Sequence, residues 1–346
     1  MLRTTYFAFT LLFASILPRI AQANENIHQM KADHLGSLKL PCKLQPSLNL
    51  LAGSIGFFTQ EQLASAAWFA RAVQLPESER NEHWNSLSEQ PVSIKDIYAG
   101  PFGLHSTVLE FDHDVLVLYR GTQDALDYVL NGVFFTTPGW FHRLPGWVHQ
   151  GFLTNFKLSA RKLLSNLKKH SEAGKAVSFA AHSLGGVLSQ YAAWRAEAMG
   201  VKVGRVYAFQ APNGGDVHFK RKFDQKFSGR SVNVIYGDDL TPHIPPTRAA
   251  GKSFASATSK PLAGVLRGVV HVANYGTLGG RYILSKDGLL REVLESDLQS
   301  SENEYWNNYR KITGGVGFPR GLGKESSIVK DHNISTVTCA LASSLH

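Results

Sequence analysis

Apolar runs of strand length alternate along this chain with segments of helical periodicity. Residues 114–120, 175–181 and 231–236 are rich in aliphatic and β-branched side chains, which is typical of strands buried in a sheet. Residues 187–199 have the apolar spacing of a helix, and Thr59 opens a capping box for another helix that runs through Val73. This alternation predicts an α/β fold with a mostly parallel central sheet flanked by helices.

One serine, Ser183, lies where the second predicted strand meets the helix that follows it. Small residues, Ala181 and Gly185, stand two positions before and after it and permit a sharp turn that exposes the hydroxyl. The start of the helix would direct N–H groups, including that of Leu184, at an oxyanion formed beside this hydroxyl. Ser183 is therefore a candidate nucleophile, with an ordinary turn serine as the alternative.

The other two predicted strands end in residues that such a nucleophile needs. The first is followed by Thr122, whose backbone N–H can donate to an oxyanion at the carboxyl edge of the sheet. The last is followed by Asp238 and Asp239 and a proline-rich loop, where a carboxylate can hold a histidine in one tautomer. The residues alone do not choose between the two aspartates, and the one not used is expected to be solvated or a turn residue.

Five blocks of sequence, in order, resemble the class 3 lipases, the family of fungal triacylglycerol lipases and their bacterial relatives. The similar blocks are Val-Leu-Tyr-Arg-Gly-Thr at 117–122, Val-His-Gln-Gly-Phe-Leu at 148–153, Ala-His-Ser-Leu-Gly-Gly at 181–186, Tyr-Ala-Phe-Gln-Ala-Pro at 207–212 and Asp-Leu-Thr-Pro-His-Ile-Pro-Pro at 239–246. The fourth corresponds to Thr-Phe-Gly-x-Pro in the family. The sequence departs from the family pattern at Ala181 and Thr241 and in a longer stretch after Asp239. The resemblance implies an α/β-hydrolase fold.

The resemblance also implies that Asp239 is the acid, since it precedes x-Thr-Pro, and that residues 125–132 form a lid. Aromatic side chains follow the lid at Phe134, Phe135, Trp140, Phe141 and Trp147. So many rings near an active-site loop predict a surface that meets a lipid–water interface. The alternative is that these rings cover the core.

Four histidines follow Asp239, namely His243, His271, His332 and His346. His243 lies inside the proline loop, and His346 ends the chain. His271 lies in a β-branched apolar run at a position that resembles a non-catalytic histidine of the family. His332 is on a late loop ahead of the terminal cysteine, as the family's base is. We predict His332 as the general base, with His271 as the alternative.

The first 23 residues have the pattern of a secretory signal peptide, with Arg3, an apolar stretch at 6–17 and a small-x-small site ending at Ala23. We expect residues 24–346 to form one α/β-hydrolase domain, secreted or periplasmic, with an uncleaved anchor as the alternative. The fungal relatives connect the two ends of their chains, so the resemblance implies a disulfide between Cys42 and Cys339. Two free thiols are the alternative.

The chain has a formal net charge of +9, which falls to +7 without the signal peptide because that segment contains two arginines and no acid. Basic residues on two predicted helices, at 157–169 and 220–226, are either solvated or attract an anionic lipid surface. No nucleic-acid-binding motif, metal-ligand spacing or apolar segment long enough to span a bilayer is found in the sequence.

We therefore predict a serine hydrolase that cleaves carboxylic esters of lipids through an acyl-enzyme, of lipase or phospholipase type and without a cofactor. Two alternatives are a feruloyl-type esterase, which shares the fold, and an inactive lipid-binding or host-interaction protein on the same scaffold. The sequence leaves open the acyl chain, the head group, the oligomeric state and the role of residues 248–280.

Overall fold

The computed structural model describes residues 42–51, 57–99, 105–120, 136–248, 250, 253, 274–312, 327, 331–343 and 345. The helices in this part of the chain are α1 (Gln60–Ala72), α2 (Glu77–Asn85), α3 (Gln150–Glu172), α4 (Leu184–Glu197), α5 (Val217–Lys226), α6 (Leu298–Ile312) and α7 (Ile334–Ser343). The strands are β1 (Ser93–Ala99), β2 (His105–Glu110), β3 (Asp114–Arg120), β4 (Thr136–Pro138), β5 (Trp147–His149), β6 (Ala176–His182), β7 (Val203–Phe209), β8 (Gly215–Asp216), β9 (Ser231–Tyr236), β10 (Tyr275–Gly276), β11 (Gly280–Leu284) and β12 (Leu290–Val293).

The main sheet of the described residues has eight strands in the order β1-β2-β3-β6-β7-β9-β11-β12. Its five central strands, β3, β6, β7, β9 and β11, are parallel to one another. β1, β2 and β12 complete the two sides through antiparallel pairs. This confirms the predicted mostly parallel sheet, and it places the ends of β3, β6 and β9 along one edge.

Both faces of β3 are buried, which explains why residues 115–119 are continuously apolar rather than alternating. Val117, Phe179 and Ala208 belong to one core cluster together with apolar residues of α3 and α4. Helix α1 contacts β3, β6 and β7 and is itself packed against α7. A smaller antiparallel sheet, β10-β8-β5-β4, joins segments that lie outside the main sheet.

The predicted capping box of α1 is confirmed. The hydroxyl of Thr59 accepts a hydrogen bond from the backbone N–H of Gln62 at 3.2 Å, and the Gln62 side chain accepts one from the Thr59 N–H at 3.1 Å. These two bonds satisfy N–H groups that have no partner within the helix. The helix therefore begins at Gln60, and its buried residues face the sheet and α7.

The predicted disulfide between Cys42 and Cys339 is present, with 5.6 Å between the two Cα atoms. Cys339 lies on α7, whose apolar residues Ile334, Val337 and Leu341 are buried. The disulfide therefore connects the first described residue to the helix that comes after His332. Among the residues that the structure describes, no helix is both long and apolar enough to cross a membrane.

We expect the Cys42→Ser, Cys339→Ser double variant to unfold at a lower urea concentration than the oxidised wild type. The crosslink joins residues 297 positions apart and restricts the unfolded chain, so its loss should cost about 2–5 kcal/mol of unfolding free energy. Urea denaturation with and without reductant measures this. Reductant should lower the midpoint of the wild type and leave that of the double variant unchanged. Equal midpoints for the two proteins without reductant would refute the expectation.

Candidate active site

Ser183 occupies a sharp turn between β6 and α4. Its backbone has φ +58° and ψ −134°, a conformation that residues other than glycine rarely adopt. The Ser183 N–H donates to the carbonyl of Phe209 at 2.9 Å, so the turn remains tied to the neighbouring strand. Strain of this kind persists where the surrounding structure enforces it, and it is typical of functional positions.

Close packing behind the turn depends on Gly186. A Cβ atom at this position would lie 2.6 Å from the Cβ of Ala211 and 3.2 Å from that of Ala208. Glycine therefore allows the first turn of α4 to approach the end of β7. The small residues Ala181 and Gly185 predicted the turn but not this contact, for which the second glycine of the Gly-Gly pair was a visible signal.

Three predicted residues from distant parts of the chain meet at this turn. Nε2 of His332 lies 2.9 Å from Oγ of Ser183, and Nδ1 of His332 lies 2.8 Å from Oδ2 of Asp239. Asp239 is fully buried, and its second oxygen accepts the backbone N–H of Thr241 at 2.9 Å. The structure thus joins the carboxylate, the imidazole and the hydroxyl in one chain of hydrogen bonds.

This arrangement is suited to proton transfer from the hydroxyl. Asp239 can only accept when ionised, so the Nδ1 atom of His332 carries the proton and Nε2 presents a lone pair to Ser183. An imidazole held in this tautomer can remove the hydroxyl proton, and the buried carboxylate stabilises the imidazolium that results.

The remaining predicted site residues are only partly within the described chain. Leu184 is the first residue of α4, where N–H groups lack partners within the helix. Thr122, the lid at 125–132, Phe134, Phe135, His271 and His346 lie outside the described residues. The expected insertion at 248–280 also lies largely outside them, and its end forms β10 and the start of β11.

Asp238, the aspartate not chosen as the acid, has its own role in the loop. Its carboxylate lies 2.9 Å from Nζ of Lys286, and its N–H donates to the carboxylate of Asp331 at 2.8 Å. Asp238 lies in a turn, as expected for the aspartate not used, and it also forms an ion pair. Asp239 therefore contacts His332, whereas Asp238 contacts Asp331, the residue before His332.

His243, set aside in the sequence analysis, belongs to a separate buried cluster. Its Nδ1 lies 3.2 Å from Oε2 of Glu302, and its ring stacks on Tyr305 with 3.5 Å between ring centroids. Arg281 donates to Glu302 at 2.5 Å. His243, Arg281 and Glu302 thus fasten the loop after Asp239 to β11 and α6. Sequence reasoning missed Arg281 and Glu302, which no motif distinguishes.

The ionisation of this cluster is set by burial and charge. Burial alone would raise the pKa of Glu302, but the charges of Arg281 and His243 outweigh it and hold that pKa at about 2. Burial lowers the pKa of His243 below its ordinary value despite the nearby carboxylate. Both groups therefore bind protons more readily in the unfolded chain than in the folded one.

The aromatic residues after the expected lid are only partly where the sequence suggested. Trp140, Phe141 and Trp147 are 52%, 76% and 43% exposed and form a contiguous cluster, so the alternative that they cover the core is wrong for these three. Their segment is held at the end of α4, where Arg195 donates to the carbonyl of His142 at 2.6 Å. Ser183 lies at the other end of this helix, about 20 Å away by helix rise.

Comparison with known proteins agrees with the resemblance seen in the sequence. The family model described as Lipase (class 3) matches residues 116–249, an interval that contains Ser183 and Asp239 and ends before His332. The resemblance to class 3 lipases is thereby confirmed, and the match supports the coarser prediction of a lipid ester hydrolase. The comparison with curated protein sequences gives no match.

Two solved structures of fungal lipases are similar to this chain. A propeptide complex of a Rhizomucor miehei lipase deletion mutant has a TM-score of 0.51 and 15% identity, covering 77% of this chain and 83% of that one. A lipase from Rhizopus microsporus var. chinensis has a TM-score of 0.49 and 16% identity, covering 72% of this chain and 83% of that one. The first of these likenesses supports the α/β-hydrolase fold.

We expect Glu302→Gln to lower the unfolding free energy by about 3–5 kcal/mol at neutral pH, because Arg281 would remain buried without a full counter-charge. Chemical denaturation measures this loss. Glu295→Gln is the control, since Glu295 is 73% exposed in its ion pair with Lys220 and should cost at most about 1 kcal/mol. Equal stability of the two variants would contradict the assignment.

The same cluster predicts an acid-sensitive fold. Because the folded pKa values of His243 and Glu302 lie below their ordinary values of 6.5 and 4.5, stability should fall as the pH drops below 6.5 and again between 4.5 and about 2. Unfolding free energies measured across this range test the direction. Glu302→Gln should show a smaller slope than the wild type below pH 4.5, and identical slopes would argue against this role of Glu302.

Proposed function

We propose that this chain is a serine hydrolase that cleaves carboxylic esters of lipids through an acyl-enzyme. The observation that carries the proposal is the chain of hydrogen bonds from Asp239 through His332 to Ser183 at a strained strand-to-helix turn. The match to class 3 lipases supports a lipid ester as the substrate class.

In the proposed mechanism, Oγ of Ser183 attacks the ester carbonyl while Nε2 of His332 takes the hydroxyl proton. The carbonyl π bond opens to an oxyanion, for which the backbone N–H groups of Leu184 and Thr122 are the proposed donors. The oxyanion collapses, the bond to the alcohol oxygen breaks, and His332 returns its proton to the leaving alcohol. Water then attacks the acyl-enzyme with the same proton transfers and releases the fatty acid.

Asp239 contributes electrostatically throughout this cycle. It is fully buried and hydrogen-bonded on both oxygens, so it keeps one orientation toward the imidazole. The attraction between this fixed negative charge and the imidazolium is stronger in a water-poor site than in solvent. The reaction as proposed needs no cofactor.

We also propose that the protein is exported, with residues 1–23 as a cleaved signal peptide. The disulfide between Cys42 and Cys339 supports this, since such bonds persist in oxidising compartments. The amino terminus of the protein recovered from outside the cytoplasm tests the cleavage site. A mature chain that begins at Asn24 is the expected result, and retention of Met1 would contradict it.

We expect Ser183→Ala and His332→Ala to lose ester turnover by several orders of magnitude while remaining folded, because each removes a group that acts in the proton transfer. A fluorophosphonate probe that labels reactive serines should modify the wild type and neither variant. His271→Ala is the comparison and, if it folds, should keep much of the ester turnover and of the fluorophosphonate labelling. The reverse pattern for the two histidines would assign the base to His271, and substantial turnover by folded Ser183→Ala would refute the serine mechanism.

A panel of triacylglycerols, phospholipids and feruloyl esters, with analysis of the products, distinguishes the lipase, phospholipase and feruloyl esterase alternatives. Covalent labelling of Ser183 by the fluorophosphonate also distinguishes an enzyme from an inactive lipid-binding protein on the same scaffold. The geometry of His332 favours the enzyme, since a binding protein needs no imidazole between the two other groups.

We expect activity on long-chain esters to rise once the substrate aggregates, as proposed for a lid at 125–132 that exchanges contact with the site for contact with lipid. The rate is measured through the aggregation threshold of the substrate. A short-chain ester that stays monomeric over the same range is the control. A long-chain rate that stays proportional to monomeric substrate throughout would count against the lid.

A further inference from the structure

Gln210 follows β7 in a backbone conformation that rarely suits its residue type. Its φ of +52° lies in the left-handed region, and the side chain is fully buried. The similar segment of the class 3 lipases, Thr-Phe-Gly-x-Pro, has glycine at this place. A glutamine here must therefore make contacts that offset the backbone strain.

The amide of Gln210 makes two such contacts, on opposite sides. Its Oε1 accepts a hydrogen bond from Nε2 of His182 at 2.9 Å, and its Nε2 donates to the backbone carbonyl of Asp331 at 2.5 Å. A carbonyl can only accept, which fixes the orientation of the amide. On its other side the His182 ring lies 3.2 Å from Nε2 of Gln74, so Nδ1 of His182 is the acceptor and the ring is neutral.

These contacts converge on the residue next to His332. Asp331 directly precedes it in the chain, and the His182 ring lies against the His332 ring with 4.6 Å between centroids. The carbonyl of Asp331 is thus held from inside the protein, and one face of the His332 imidazole is covered by a neutral ring.

A second set of contacts holds Asp331 from the surface side. Its carboxylate accepts the N–H of Asp238 at 2.8 Å and lies 3.1 Å from Nζ of Lys286, on the turn between β11 and β12. A Cβ atom at Gly237 would overlap this carboxylate, so glycine there leaves room for it. The residues that precede Asp239 and His332 are therefore linked to each other.

We propose that Gln210 is a positioning residue for His332, and that Lys286 assists it from the surface side. By fixing the peptide of Asp331, Gln210 keeps the imidazole between Ser183 and Asp239. This role rests on the proposed hydrolase function. A shift of an ångström in a general base is enough to slow proton transfer strongly, whereas the fully buried side chain of Gln210 offers no surface to the ester.

The test is Gln210→Gly, which removes the amide and suits the positive φ, so that backbone strain cannot explain a loss. On a soluble short-chain ester we expect kcat to fall by about 10–100-fold with KM within about twofold, and fluorophosphonate labelling to slow in parallel. Proton NMR should also show that the low-field resonance of the His332 Nδ1–H bond to Asp239 weakens or disappears.

Gln190→Ala is the matched control. Gln190 is also a buried glutamine that donates to a backbone carbonyl, that of Leu278, at 3.0 Å, and it contacts neither Asp331 nor His332. It should keep kcat and the low-field resonance even if its melting temperature falls. Lys286→Met is a second, surface variant with little risk to folding, and its kcat should fall by about two- to fivefold.

The outcomes separate the two proposals. Unchanged kcat and resonance in Gln210→Gly, or equal losses in Gln210→Gly and Gln190→Ala, would overturn the positioning role. A wild type that hydrolyses no ester and resists the fluorophosphonate would overturn the proposed function instead. The low-field resonance would then still decide whether Gln210 positions His332.

Discussion

The placement of one imidazole governs the chemistry that this structure can support. His332 must lie within hydrogen-bond distance of both Ser183 and Asp239, and it does so at 2.9 and 2.8 Å. Its two partners follow β6 and β9, strands of a rigid parallel sheet buried on both faces. His332 itself lies in the irregular segment before α7. Contacts from the surrounding structure are therefore needed to fix the position of His332 as closely as the sheet fixes its two partners.

Helix packing and three kinds of specific contact supply that precision. The packing of α7 on α1, with the disulfide from Cys339, fixes the chain on the carboxyl side of His332. A hydrogen bond from Gln210 and the ion pair with Lys286 fix the chain on its amino side. Each class of contact responds to a different change in conditions. The disulfide responds to reductant, the surface ion pair to salt, and the buried amide to little except substitution.

The acid side of the site is organised by buried charge. The loop after Asp239 is joined through His243 to Glu302 and Arg281, all of them buried. Burying an ion pair costs desolvation energy, so such a cluster is better understood as specifying one loop conformation than as adding stability. Removing the charge of one member would leave the remaining buried charge without a partner. Because protonation of Glu302 removes such a charge, the conformation of the loop is sensitive to acid.

The sequence by itself determined the alternation of strands and helices and the turn at Ser183, because local periodicity and a short motif carry this information. The preference for Asp239 over Asp238 and for His332 over His271 came from the resemblance to class 3 lipases. The same resemblance also indicated the disulfide that the structure contains. The roles of Gln210, Lys286 and the cluster around Glu302 were decided only by the tertiary structure. Their roles depend on contacts between segments far apart in the chain, such as Gln210 with Asp331, and no local pattern encodes such distances. The tertiary structure also decided that Trp140 and its neighbours lie at the end of α4 away from Ser183. The direction of a helix across a sheet depends on packing, which the local sequence does not encode.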